Sequence, residues 1–204
     1  MAEPGAEPGA ESGAEVILET ARLRLRKEAE GDQAVWLAHM NTPQVLANLG
    51  GPRTPEEVAQ SFVRKAEGWA RFGYSFMMVE RKEDGLLIGH CGLAPVETEV
   101  APPALRNQPQ IGWTLRADCW GQGYAIEAAR GVLTMAFETL GQSVIYGQTS
   151  QSNVGSWRLM QKLGMERLAD LDYVDPDYPE ADNPTKIYAI TLANWRAQQE
   201  PTAS

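Results

Sequence analysis

Gly121, Gly123, Asn153 and Ser156 are the residues whose types and spacing first suggest chemistry. The run Trp120-Gly121-Gln122-Gly123-Tyr124-Ala125 follows an apolar strand pattern, Gln110 to Arg116, and opens a long amphipathic helix pattern. A glycine-rich turn at a helix mouth leaves backbone N–H groups unpaired and pointing outward. With the positive end of the helix dipole, those groups make a site for phosphate. Gly121 and Gly123 let the main chain approach an anion with no Cβ in the way. The spacing is neither that of a Walker loop nor that of a full dinucleotide-binding turn. Taken alone, the run reads equally as a structural turn or an anion site.

The elements that must position these residues follow from periodicity. From about Ile126 to Leu140, the residues Ala129, Val132, Leu133, Ala136, Phe137 and Leu140 share one helical face. Further along, Asn153 to Met165 reads as a second helix, with Asn153 as N-cap and Gly164 at the left-handed C′ position. Asp32 is placed to cap a helix carrying Val35, Trp36, Leu37 and Met40, and a short helical turn is expected after Pro43. Thr54-Pro55-Glu56-Glu57 is a strong helix start, and that helix should run to about Arg71. Tyr74 to Glu80 and Leu86 to Leu93 predict a hairpin about Glu83-Asp84-Gly85. A long proline-containing loop, Ala94 to Pro109, precedes the next strand, and long loops often carry function.

Together, the Trp120–Ala125 turn and the Asn153-x-x-Ser156…Lys162-Leu163-Gly164-Met165 segment resemble the GNAT superfamily of acetyl-CoA-dependent N-acetyltransferases. More specifically, they look like the branch containing the acetyltransferases of ribosomal-protein N-termini. Trp120-x-x-Gly123-x-Ala125 stands where the family has Q/R-x-x-G-x-G/A, with Trp at the first position. Leu18 to Arg26 looks like the branch's opening strand and Leu86 to Leu93 like its third strand, so the likeness covers roughly residues 16 to 195. It implies a mixed, mostly antiparallel α/β sheet of about seven strands, with helices on both faces and a splay between the fourth and fifth strands. It further implies acetyl-CoA as cofactor, held by Leu115, Arg116, Gly121, Gln122, Gly123, Tyr124, Ala125, Asn153 and Ser156. The pantetheine arm would enter the splay between the strand ending at Leu115-Arg116 and the strand Ser143 to Thr149. A backbone N–H near Trp113 to Leu115 would then face the thioester oxygen.

Acyl transfer from a thioester to an amine also needs a proton acceptor for the amine and a donor for the departing thiolate. The branch often has Glu where this chain has Gln110, so the proton is expected to leave through ordered water, or with help from Glu97 or Glu99. The tyrosine that some relatives place seven residues after the motif Asn is Met160 here. Ser156 is therefore the candidate catalytic acid, with Asn153 beside it, and cofactor hydrogen bonding is its other reading. Tyr173 and Tyr178 are weaker candidates. His39 is expected in solvent, and His90 as a satisfied structural histidine or a wall of the acceptor cavity. Cys119 lies beside the turn, but direct transfer needs no acyl-enzyme and no activating base accompanies it.

The segment Asp170 to Asp182 is dense in acids and, by resemblance, lies beside the acceptor groove. It is expected to attract a cationic amine: a basic peptide N-terminus, a polyamine or an aminoglycoside. The implied activity is acetyl transfer to a primary amine. A small-molecule acceptor, amino acids included, and a catalytically silent CoA-binding module are the alternatives.

The chain has 204 residues, 43% of them hydrophobic, enough for one sizeable core. Residues 1 to 15 repeat Ala-Glu-Pro-Gly and should be a disordered tail, 16 to 195 the N-acetyltransferase domain, and 196 to 204 a flexible C-terminus. The tail's four glutamates account for four of the nine net negative charges, leaving about −5 on the domain. An acidic domain is a poor partner for nucleic acid. No apolar run suits a membrane span or signal peptide, and two cysteines make no disulfide framework, so a cytoplasmic monomer or homodimer is expected. Two isolated histidines argue against a zinc site.

Overall fold

The computed structural model describes residues 13–199, so most of the expected N-terminal tail lies outside the described residues. One open sheet organises the chain. Its strands are β1 (Val16–Glu19), β2 (Leu23–Arg26), β3 (Phe76–Arg81), β4 (Leu87–Pro95), β5 (Pro109–Leu115), β6 (Val144–Ser150), β7 (Glu166–Arg167) and β8 (Thr185–Thr191). Their order is β1-β2-β3-β4-β5-β6-β8-β7, antiparallel except at β5–β6. The helices are α1 (Asp32–His39), α2 (Pro55–Phe72), α3 (Tyr124–Thr134), α4 (Val154–Lys162) and α5 (Leu192–Gln199). A π-helical turn, Met135–Thr139, extends α3.

The sheet has eight strands rather than about seven, because the expected single opening strand folds back on itself. Thr20 turns the chain: its N–H donates to the Leu23 carbonyl at 2.9 Å, and the Leu23 N–H donates to Thr20 Oγ1 at 3.1 Å. The hairpin β3–β4 forms about Gly85 as expected. The boundary expected at residue 195 falls inside α5, whose Trp195 is buried against Phe137. No described helix is long and apolar enough to cross a membrane.

Strand alternation distributes the core between two faces. On β3, Met77 and Val79 join the buried face of α3, where Ala129, Val132, Leu133, Ala136 and Phe137 lie as the periodicity predicts. Met78 points the other way and packs with Trp36 and Met40 at α1 and Val58 of α2. Asp32 does not cap α1; Gly31 stands at that position. The Asp32 carboxylate is instead buried, accepting two hydrogen bonds from Arg26 at 2.7 and 2.9 Å, while Arg26 Nε donates to Glu80 at 3.0 Å. Thr54 caps α2 through the reciprocal Thr54–Glu57 pair, and Gly73 in the left-handed region ends it.

β5 and β6 share a single paired position, Gln110 with Tyr146, and diverge beyond it. This is the expected splay. The Ala94–Pro109 loop covers its closed end, burying Val96, Ala101 and Leu105 against Ile187.

Candidate active site

The open end of the splay leads into a cavity of about 650 Å³. Arg116 N–H donates to the Ile88 carbonyl at 2.8 Å, so ladder alternation turns the N–H groups of Trp113 and Leu115 away from β4 and toward the gap. Trp120, first residue of the glycine turn, is tied to this strand end by its indole N–H, which donates to the Leu115 carbonyl at 2.9 Å.

Gly121 and Gly123 both have left-handed φ, +74° and +82°, and no side chain caps α3. The first-turn N–H groups of α3 therefore open onto the cavity wall formed by Gly121, Gly123, Tyr124 and Ala125. Arg22 sits behind the turn. Its Nε donates to Glu127 at 2.6 Å, its Nη1 donates to the Gln122 carbonyl at 3.0 Å, and its guanidinium lies 4.4 Å from the Tyr124 ring centre. An uncapped helix mouth with two left-handed glycines fits the pyrophosphate of coenzyme A.

The second motif reaches the same cavity. Asn153 caps α4 as expected, its Oδ1 accepting from the Ser156 N–H at 3.1 Å, and Gly164 takes φ +74° past the helix end. Asn153 and Ser156 both line the cavity. Of the residues expected to hold the cofactor, Leu115, Gly121, Gly123, Tyr124, Ala125, Asn153 and Ser156 converge there. Arg116 and Gln122 do not line it: Arg116 is paired with Asp118 at 2.8 Å, and Gln122 Nε2 donates to the Asp118 carbonyl at 3.0 Å. Sequence reasoning missed Asn48 and Leu49, from the turn after α1, and Arg158 and Lys162 on α4. The last two follow Gly155, another lining residue, at three and seven positions, a helical spacing legible in the chain; the turn has no such signal. Met160 faces the core beside Gly147.

A second cavity, of about 990 Å³, meets the first at Leu49 and Thr114, which line both. His90 stands in its wall. Its ring lies between Trp36 and Phe76, with centroids 4.5 and 4.6 Å away, and Nδ1 has no partner among the described residues. The reading of His90 as a satisfied structural histidine is thereby corrected. Burial, reinforced by the charge of Lys65, holds its pKa well below the ordinary histidine value, so the ring is neutral at pH 7. Gly89 permits the placement, since a Cβ there would stand 2.1 Å from the Thr114 carbonyl oxygen.

Other candidates fall elsewhere. Gln110 lines neither cavity; its Nε2 donates to the Pro95 carbonyl at 3.4 Å. Glu97 is exposed at the second cavity, 3.9 Å from Arg71, and Glu99 lines neither. Tyr173 donates to Gln148 at 2.7 Å, whereas Tyr178 lines the second cavity. His39 is exposed. Burial raises the thiol pKa of Cys119 and of Cys91, so neither is a ready nucleophile.

The acidic run reaches the second cavity through Tyr178 alone. None of its acids lines either cavity, and several have partners nearby. Asp172 accepts from Arg167 and from the Ile187 N–H, Asp182 from Ser152, and Asp175 from the Asp177 N–H. No group of metal-ligating side chains occurs among the described residues.

A family model described as an acetyltransferase (GNAT) domain matches residues 22–166. The chain is 29% identical over 192 residues to an FsC-acetyl coenzyme A-N(2)-transacetylase of Aspergillus fumigatus, a match covering 91% of this chain and 80% of that one. Among solved structures, an acetyltransferase from Agrobacterium tumefaciens is 25% identical with a TM-score of 0.69, covering 94% of this chain and all of that one. RimL, a ribosomal L7/L12 alpha-N-protein acetyltransferase in complex with coenzyme A, shares the fold at 15% identity. Its TM-score is 0.70, over 88% of this chain and 99% of that one.

Proposed function

Because the chain belongs to the GNAT acetyltransferase family and is an acetyl-CoA-dependent N-acetyltransferase, we propose that its acceptor is a compact primary amine bound in the second cavity and acetylated by direct transfer. The observation that carries this reading is the meeting of the two cavities at Leu49 and Thr114. A thioester held along the splay reaches that junction from one side, and an amine in the second cavity reaches it from the other. An acceptor space of about 990 Å³ is of the size that encloses small molecules.

Bound acetyl-CoA supplies an activated thioester carbonyl, and the surrounding residues do the rest. The glycine turn and α3 mouth hold the pyrophosphate. The N–H groups of Trp113 and Leu115 donate to the thioester oxygen as it gains charge. The neutral His90 ring, which lines the second cavity, accepts the amine proton. A weak base suffices, because the nitrogen becomes strongly acidic as it bonds to the carbonyl carbon. The C–N bond forms, the C–S bond breaks, and the Ser156 hydroxyl, on the α4 turn that the Asn153 cap fixes, passes a proton to the departing sulfur and regains one from solvent. Cys91 and Cys119 play no covalent part.

One chain lines both cavities, so the chemistry needs no second copy. The free, buried cysteines fit a reducing cytoplasm. A protein N-terminus is the second reading, and the fold likeness to RimL favours it.

Free-thiol release from acetyl-CoA, measured across amino acids, polyamines, aminoglycosides and alanyl or seryl peptides, tests the acceptor class. Turnover of compact amines is expected. Turnover of peptides alone would replace this reading with the second. CoA binding without turnover of any amine would leave a silent CoA-binding module.

A further inference from the structure

The charge of the second cavity runs opposite to the expectation drawn from the acidic run. Arg53, Arg64, Lys65 and Arg71 line it, against Glu67 and Glu97. Three of these cations lie on the exposed rim, and Arg71 is close enough to Glu97 to offset it, at 3.9 Å. Lys65 differs from the rest. It is only 6% exposed, yet it forms no hydrogen bond or ion pair with any described residue, and it still borders the cavity.

A buried ammonium without a counter-ion is costly, and a chain that keeps one gains by giving it an anion. The walls around Lys65 are aromatic. Its Nζ lies 4.2 Å from the Phe62 ring centre and 5.2 Å from that of Trp36. Those rings attract a cation but accept no strong hydrogen bond, so the donors of Nζ stay available. Glu28, the carboxyl with the strongest pull on Lys65, is not within ion-pairing distance. Its Oε1 is buried without a partner among the described residues, and burial raises its pKa.

Position decides what the anion belongs to. Trp36 packs against His90 and also lies beneath Lys65, so one aromatic ring neighbours both the imidazole and the ammonium. From these relationships we infer that the acceptor is a small amino carboxylate, an amino acid or dipeptide, whose carboxylate pairs with Lys65 while its amine lies at His90 and Thr114. This inference rests on the second cavity being the acceptor site. It excludes polyamines and aminoglycosides, whose charge the rim would repel. The apolar walls at Trp36, Phe72, Phe76 and Tyr178 suit an aromatic or long aliphatic side chain.

The test compares free amino acids with their own amides in thiol release by the full-length protein, alone and as Lys65→Met. Wild type should favour the carboxylate over the amide by about 10- to 100-fold in kcat/KM, the range for a hydrogen bond to a charged group. Lys65→Met should collapse that ratio toward one, and its melting temperature reports whether it folds. A wild-type ratio near one, or a ratio that survives in a folded Lys65→Met, would overturn the inference while leaving transfer intact. Calorimetric titration of N-acetyl amino acids reads the anion site without turnover. Binding that weakens in Lys65→Met supports the site even if no amine reacts, in which case only the transfer reading falls.

Discussion

His90 on β4 and Thr114 on β5 are directly paired across the antiparallel ladder, and Thr114 belongs to both cavities whereas His90 belongs only to the second. The pairing puts the His90 ring on the same face of the sheet as Thr114, beside the junction of the two cavities. Strand register, which is fixed by the buried faces of β4 and β5, therefore sets where the His90 ring stands relative to that junction.

His90→Phe tests that role. Phenylalanine preserves the stack between Trp36 and Phe76 but cannot take a proton. We expect kcat to fall about 100- to 1,000-fold with CoA affinity unchanged in calorimetry. In wild type, the loss of rate from protonating His90 falls below the ordinary histidine value of 6.5, since burial lowers its pKa. The same sign governs stability. The folded state keeps the ring neutral, so the His90 contribution is present above 6.5 and is lost on acidification. An unchanged kcat in His90→Phe would hand the proton to solvent or Glu97.

Gly123→Glu should abolish CoA binding. The residue has φ +82°, a Cβ there would stand 3.3 Å from Arg22 Nη2, and the new carboxylate would occupy the anion site. A loss of at least about 100-fold in affinity is expected by titration. Normal binding would place the pyrophosphate elsewhere.

Ser156→Ala separates two roles for one hydroxyl. As proton donor to sulfur, its loss lowers kcat about 10- to 100-fold at unchanged acetyl-CoA KM. A rise in KM alone would assign it to cofactor binding. The α4 cap should survive in either case, because it uses the Ser156 backbone N–H.

Lys65 makes amino carboxylate transfer pH-dependent on the alkaline side. Burial lowers its pKa to about 8, with Glu28 and Asp32 drawing it up, Arg64 pushing it down and a neutral His90 also packed against Trp36. The ammonium is present below about 8 and lost above it, so kcat/KM for carboxylate acceptors should decline there. Amide acceptors should show no such decline. Folding has the opposite sign: the charged form is the one the fold disfavours. Lys65→Met should therefore raise the melting temperature at pH 7, and the gain should shrink as pH climbs past 8. A carboxylate profile that stays flat across pH 8 would remove Lys65 from the acceptor site.

Asp32→Asn tests the scaffold beneath that cavity. Arg26 joins β2 to β3 through Glu80 and to α1 through Asp32, and α1 carries Trp36. Removing one buried carboxylate leaves the guanidinium under-compensated, and a cost of about 3 kcal/mol is expected in chemical denaturation. A loss of well under 1 kcal/mol would mean that water reaches Arg26.

Much of the cofactor half was legible along the chain because its signals are local. A glycine turn before an amphipathic run, and Asn153 three residues before Ser156, depend on neighbours within one helical turn, where backbone geometry alone creates the site. The branch of the family and the acceptor were not legible in this way. Gln110 drew attention by motif position, yet the ladder turns it to Pro95 and away from both cavities.

The sequence by itself determined the eventual helix mouths, the α3 stripe and the alternation of β3, because hydrophobic period and capping chemistry act over a few residues. The charge of the second cavity emerged only with tertiary packing. The conspicuous acids between Asp170 and Asp182 find local partners such as Arg167 and Ser152, whereas Lys65 of α2, Trp36 of α1 and His90 of β4 meet only when two helices pack on one face of the sheet. A charge run advertises itself in the chain, but a lysine buried with no ion-pair contact among the described residues becomes visible only once the core has closed around it.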